Sequence, residues 1–423
     1  MLACANGRSD SLVLEGRVLD PGEGLDTALR VVIDNGVISA LEVGDDARLV
    51  LAPGFVDPHV HLRTPGREDE ETLASGTAAA AAGGYCAILA MPNTEPVVDS
   101  AAVLGSLVEL AREEAVVPLG FFAAISRGQR GSELTEMGEL ADAGAVGFTD
   151  DGRPVVSAGL LRRALQYSGI TGRPLALHEE EPTLSRDGHM HEGAVSAELG
   201  LGGWPALAES VMVTRDLALA GEEVRPLHVM HVSVAQSVGA LRAAQEAGVE
   251  ATAEATPHHL CLTDEAVRSL DSNFKMNPPL RSEDHRQALI DAVRDGTISC
   301  IGTDHAPHAR HEKEAPFEEA PFGVTGLETA FSALYTHLVR PGVLSLETVV
   351  ERMSAGPAHA FGLPVPRIAV GERANIAVLD LGQEWEVRED GFRSRSVNSW
   401  LLGARLQGRV VRTVADGRQV FAA

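Results

Sequence analysis

The run from Gly54 to Arg63, GFVDPHVHLR, turns from apolar to polar over its last residues. In an extended strand residues i and i+2 face the same way, so His59 and His61 present two imidazoles side by side. Neutral imidazole is a common ligand for zinc and its neighbours, and this spacing suits two ligands to one divalent ion. The chain has 15 histidines, so a chance His-x-His is expected, and a second pair occurs at His189 and His191. That pair lies in RDGHMHEG, a polar, glycine-containing run that reads as a loop. The first pair ends a strand and is followed by Arg63.

The elements that must position the first pair extend from about residue 54 to 364. There, apolar strand-like runs alternate with Ala/Leu/Glu-rich helical runs. GFVDPHVHL, CAILAMPN, PLGFFAAIS, AVGFTDD, PLALHEE, PLHVMHVS, VEATAEATP and ISCIGTDHA make eight strand candidates. Eight strand-then-helix units predict a (β/α)8 barrel of the TIM type. The alternative is a doubly wound open sheet, but no GxGxxG opens a helix after a first strand. Residues 10–53 and the C-terminal stretch consist instead of short alternating segments with turns at DNG and DGR. They predict a small β-sandwich domain formed by both termini, 1–53 plus 365–423, beside a barrel of 54–364.

In such barrels the active site lies at the C-terminal ends of the strands. The first strand delivers His59 and His61, the second Asn93, the fourth Asp150 and Asp151, and the fifth His178. The sixth delivers His231, the seventh leads into His258 and His259, and the eighth ends at Asp304 and His305. Four histidines and two carboxylates on one rim point to metal. A tetrahedral zinc takes four ligands, so six suit two ions with a bridging carboxylate and a hydroxide between them. His59 and His61 with Asp304 would hold one ion, and His178 and His231 the other. No lysine stands at the end of the fourth strand, so Asp150 or Asp151 must bridge; neighbours in a strand face opposite ways, and the choice stays open. Asp304 beside a metal-activated water can take its proton and hand one to a leaving group. Arg63, Asn93 and Asn277 offer hydrogen bonds, and Arg63 can clamp a carboxylate with two of them. The chemistry is hydrolysis, or its reversal, at an amide-like carbon.

A formal charge of −25 argues against nucleic acid and against anionic membrane surfaces as partners. An anionic substrate therefore needs local cations. Lys275 and Lys313 are the only lysines, so nearly all positive charge is arginine. The four cysteines, Cys4, Cys86, Cys261 and Cys300, show no CxxC spacing and read as small hydrophobes in a reducing cytoplasm. MLACANGRSD has no basic region followed by an apolar one, and no apolar run approaches a membrane span. A cytoplasmic enzyme is expected.

The runs GFVDPHVHLR, MPNTEPVVD, GFTDDGRP, LHEEE, HVS, TPHHL, KMNPPLR, TDHAPH and APFGVTGLETAF together resemble the bacterial class I dihydroorotases of the amidohydrolase superfamily. The resemblance runs from about residue 10 to the C-terminus. It implies that His59, His61, His178 and His231 bind zinc, that Asp151 is shared by both ions, and that Asp304 is both ligand and general acid/base. It also implies that Arg63, Asn93, Asn277 and His308 contact substrate, with backbone help from Phe322 and Gly323. The charged run HARHEKEAPFEEA resembles the loop that closes over the substrate. The implied reaction is the reversible cyclisation of N-carbamoyl-L-aspartate to (S)-dihydroorotate and water, in pyrimidine biosynthesis, by a zinc-bound hydroxide. A homodimer and, in part of the family, an aspartate transcarbamoylase partner are implied too. Thr64 departs from the acidic residue that many relatives carry there. Hydantoinases, dihydropyrimidinases and allantoinases are the rival reading, but typically bridge their metals with a carboxylated lysine. Non-catalytic relatives that partner aspartate transcarbamoylase have lost ligands that this chain keeps.

Overall fold

The computed structural model describes residues 2–423. Eight strands form one parallel sheet in sequence order: Phe55–Val60, Tyr85–Ala90, Leu119–Ala123, Gly147–Phe148, Leu175–Leu177, Leu227–Val229, Ala251–Ala255 and Cys300–Ile301. His61 N donates to His305 O at 2.8 Å, and Val60 bridges His305 in parallel, so the chain after the eighth strand returns to the first. The expected (β/α)8 architecture is borne out. All residues of Phe55–Val60 and Tyr85–Ala90 are buried, because helices cover the outer face of a parallel sheet while side chains fill its inside. The helix Leu73–Ala82 shows how these covers begin. Ser75 N donates to Thr72 Oγ1 and Thr72 N to Ser75 Oγ, each at 3.1 Å, a reciprocal cap that satisfies two first-turn amides.

The two ends of the chain build a seven-stranded sheet ordered Arg418–Ala422, Arg405–Ala415, Ile376–Glu386, Val50–Pro53, Leu12–Asp20, Leu25–Asp34, Val37–Val43. Only Leu12–Asp20 and Val50–Pro53 pair in parallel. Two hairpins close at Asn35-Gly36, with φ of 49° and 78°, and at Asp416-Gly417, with φ of 46° and 69°. These left-handed pairs are what the DNG and DGR runs favour. The turns touch each other: a Cβ on Gly417 would lie 2.5 Å from Gly36 Cα. Leu14, Val18, Val31, Ile33, Ile376 and Val414 belong to a core of this sheet, distinct from the barrel's. The four cysteines are free, with Cys86 and Cys300 buried. Among the described residues no helix is long and apolar enough to cross a membrane.

Candidate active site and metal centre

The barrel delivers its polar side chains at the C-terminal strand ends. His59 lies in Phe55–Val60 and His61 follows it, while His178 directly follows Leu175–Leu177. Asn93, Asp151, His231 and Asp304 stand two or three residues beyond their strands. Buried Asp57 ties the first strand to the eighth, accepting from His59 N at 3.0 Å, Thr303 N at 3.1 Å and Thr303 Oγ1 at 2.6 Å. Arg63, His231 and Asp304 adopt φ of 58°, 31° and 49°. For residues other than glycine the left-handed region costs about 1–2 kcal/mol each, a strain that the surrounding packing must hold.

Asp151 stands among the four imidazoles. Its Oδ2 is 3.6 Å from His59 Nε2 and 3.4 Å from His61 Nε2; its Oδ1 is 3.7 Å from His178 Nδ1 and 3.6 Å from His231 Nε2. Asp150 turns away and accepts from Ser126 N at 3.0 Å and from Ser126 Oγ. Two triads therefore share one carboxylate, His59–His61–Asp151 and Asp151–His178–His231, with the ligand atoms of each within 4.8 Å of one another. Asp304 Oδ1 adds a further oxygen, 3.1 Å from His61 Nε2 and 3.4 Å from His59 Nε2. His59 Nε2 is buried without a hydrogen-bond partner, and His178 Nδ1 meets His231 Nε2 at 2.9 Å. Imidazole nitrogens converging on carboxylate oxygens form the donor set of a divalent metal site, and the residues fit that group.

Three of the four outward ring nitrogens are engaged, while His231 Nδ1 is buried without a hydrogen-bond partner. His59 Nδ1 lies 2.6 Å from Glu254 Oε1, His61 Nδ1 2.9 Å from Asn93 Oδ1, and His178 Nε2 3.1 Å from Glu180 Oε2. An acceptor on the outer nitrogen holds the proton there and leaves the inner lone pair for a ligand. Glu254 also accepts from His231 N at 3.2 Å and lies 3.2 Å from His228 Nε2. Gly302 makes room for it: a Cβ there would sit 2.9 Å from Glu254 Oε2. Sequence reasoning missed Glu254 and Glu180. The signal for Glu254 was an acid among small residues in the strand Ala251–Ala255, where it is fully buried. Burial opposes charge on Asp151 and Asp304, but His59 and the neighbouring imidazoles outweigh it and hold both carboxyls well below the usual range. Burial opposes charge on His59 too, yet Glu254, Asp151 and Asp304 raise it well above an ordinary histidine.

Every site residue expected from sequence except His59 lines one cavity of about 170 Å³: His61, Arg63, Asn93, Asp151, His178, His231, Asn277, Asp304, His308, Phe322 and Gly323. Arg63 Nε donates to Pro307 O at 3.0 Å and pairs with buried Glu70 Oε2 at 3.1 Å, while its Nη2 reaches His308 Nε2 at 3.5 Å. The charged run after His308 forms the short helix Arg310–Lys313 and buries Lys313, Phe317 and Ala320, so it packs down instead of lying free in solvent. Neither lysine reaches the metal cluster, since both ammonium groups meet backbone carbonyls of 317–323. The second histidine pair is a correction to the loop reading: Met190–His191 is a short strand paired with Gly203–Trp204. His191 Nδ1 faces the Arg281 guanidinium at 3.3 Å, which disfavours a second cation there. His259 bonds Thr256 Oγ1 and Pro278 O, and His305 pairs with Glu71, so both brace the rim.

The comparisons with known proteins agree with this geometry. Residues 48–237 match the family model described as Dihydro-orotase-like. A dihydroorotase of Anaeromyxobacter sp. (strain K) is 47% identical over 97% of this chain and 98% of its own. One from Syntrophus aciditrophicus is 44% identical, covering 97% and 99%. Among solved structures, the L-hydantoinase (dihydropyrimidinase) of Arthrobacter aurescens superposes with a TM-score of 0.84 at 26% identity, covering 96% of this chain and 95% of its own. The fold is thus shared with hydantoinases, while the much higher identity over nearly the full length lies with dihydroorotases. The chain belongs to the dihydroorotase family.

Proposed function

We propose that this enzyme interconverts N-carbamoyl-L-aspartate and (S)-dihydroorotate, with loss of water on ring closure, as a step of pyrimidine biosynthesis. One observation carries the reading: Asp151 lies between two pairs of imidazoles, in the same cavity as the Arg63 guanidinium. A centre for opening or closing an amide thus adjoins a cation suited to a carboxylate. His59, His61, Asp151 and Asp304 would hold one zinc ion, and Asp151, His178 and His231 a second. When bound, such ions supply an activated water and polarise the reacting carbonyl. Asp304 takes the proton of the attacking water and passes it to the ring nitrogen as the ring C–N bond breaks. In ring closure Asp304 takes the proton of the attacking ureido nitrogen and gives it to the departing hydroxyl oxygen. Arg63, His308 and Asn93 hold the exocyclic carboxylate, while Asn277 and the backbone of Phe322 and Gly323 fix the ring. The absence of lysine from the cluster favours this over the hydantoinase reading.

The family likeness alone supports a cytoplasmic homodimer and an association with aspartate transcarbamoylase. The reaction is tested by stripping metal with a chelator, restoring zinc and following ring opening of dihydroorotate. Activity should vanish and return as zinc approaches two per chain. Full activity in the stripped enzyme would contradict the metal assignment, and inactivity with both zincs bound would contradict the reaction.

A further inference from the structure

Lys275 and Lys313 are the only lysines in the chain, and both are buried, at 2% and 8% exposure. Lysine is almost never fully buried unless its charge is satisfied. Here the satisfying groups are backbone carbonyls of one short segment. Lys275 Nζ donates to Phe317 O at 2.7 Å, Glu318 O at 2.9 Å and Ala320 O at 2.7 Å. Lys313 Nζ donates to Pro321 O and Gly323 O, each at 3.0 Å. The Phe322 carbonyl lies 2.8 Å from His308 Nε2. Six of the seven carbonyls of 317–323 therefore meet Lys275, Lys313 or His308, and Asn398 Nδ2 is a second donor to Gly323 O at 3.2 Å.

Carbonyl dipoles aimed at one another repel, and burying them without donors is unfavourable. The ammonium groups remove both difficulties, and three acceptors around Lys275 match its three N–H bonds. Lys275 Nζ also lies 4.6 Å from the Phe322 ring centroid and 5.4 Å from that of Phe317, close enough for cation–π attraction. Its own carbonyl accepts from Gly323 N at 2.9 Å. Phe322 and Gly323 line the site cavity and neither lysine does; Lys313 borders a separate cavity with Asp271, Arg310 and Asn398.

We propose that Lys275 and Lys313 are positioning residues: together they form a two-ammonium clasp that folds 317–323 so that Phe322 and Gly323 take their places in the wall of the substrate cavity. The role in substrate binding rests on the function proposed above; the clasp itself is a property of the folded chain. Because the chain has no other lysine, amine acylation reports on the clasp without background from other side chains.

The experiment acylates the zinc-loaded wild-type enzyme in short pulses with an N-hydroxysuccinimide acetate and reads each lysine by peptide mass spectrometry. Both should react at least a hundredfold more slowly than in the urea-unfolded chain. Reaction of either at the unfolded rate would overturn the clasp, with no variant needed. Lys275→Met and Lys313→Met keep the stem and remove the donors. In each, amide hydrogen exchange across 317–323 should accelerate at least tenfold, and KM for dihydroorotate should rise at least tenfold with kcat changed less than threefold. Unchanged exchange in the folded variants, or a fall in kcat with KM unaltered, would overturn the proposal. If the wild type does not turn over dihydroorotate while acylation and exchange behave as expected, the reaction assignment falls and the clasp is upheld.

Discussion

Glu254 Oε1 lies 2.6 Å from His59 Nδ1 and also accepts from His231 N at 3.2 Å. One buried carboxylate thus supports a residue from each triad. Glu254→Gln keeps the shape but removes the charge that would make His59 a stronger donor to a metal ion. Zinc affinity should fall by about 10–100-fold, measured by competition with a chelator. Affinity equal to the wild type would show that Glu254 only fills space.

The neighbours Asp150 and Asp151 should separate cleanly. Asp151→Asn removes the carboxylate common to both triads, and zinc per chain should drop by at least one by elemental analysis. Asp150→Asn should keep full zinc content and instead lower stability by about 1–3 kcal/mol, because it breaks a buried contact with Ser126. Loss of zinc from the Asp150 variant would reverse the assignment.

What the sequence allowed and withheld follows from these pairs. His59 and His61 were legible because a strand has a period of two, and the eight strands because apolar runs alternate with helical ones. Asp150 and Asp151 could not be ranked by pattern, since a one-residue step reverses the face and both lie beyond the strand Gly147–Phe148, where the chain is already turning. Glu254 escaped because its partners, His59 and His228, come from other strands. RDGHMHEG read as a loop because a two-residue strand is set by its partner Gly203–Trp204 and leaves no periodicity of its own. The burial of Lys313 was hidden for the same reason: its partners Pro321 and Gly323 lie beyond a stretch without apolar rhythm.

Arg63 is mostly buried, with 12% of its side chain exposed, and is paired with Glu70. Arg63→Ala should cost substrate binding about 2–4 kcal/mol, as expected for a desolvated charge pair that loses one partner. That is a rise in KM of roughly 30-fold or more, with zinc content unchanged. An unaltered KM would remove Arg63 from the carboxylate clamp.

The contact of the two terminal hairpins should matter to stability alone. Gly417→Ala places a Cβ 2.5 Å from Gly36 Cα at a φ of 69°. The left-handed conformation alone costs about 1–2 kcal/mol, and the contact with backbone adds to it. The expected outcome is a lower Tm in thermal unfolding with kcat and zinc content retained. An unchanged Tm would mean that the two turns do not stay in contact.

The most direct test of the account compares kcat/KM for dihydroorotate with that for hydantoin, dihydrouracil and allantoin on the zinc-restored enzyme. In the proposed function Arg63 and His308, in the same cavity as the two His/Asp triads, select a ring bearing a carboxylate. Ring opening of dihydroorotate, with turnover of the three neutral rings at least a thousandfold lower, is the predicted result. Comparable or faster turnover of any neutral ring would contradict the account and place the enzyme's chemistry with the hydantoinases.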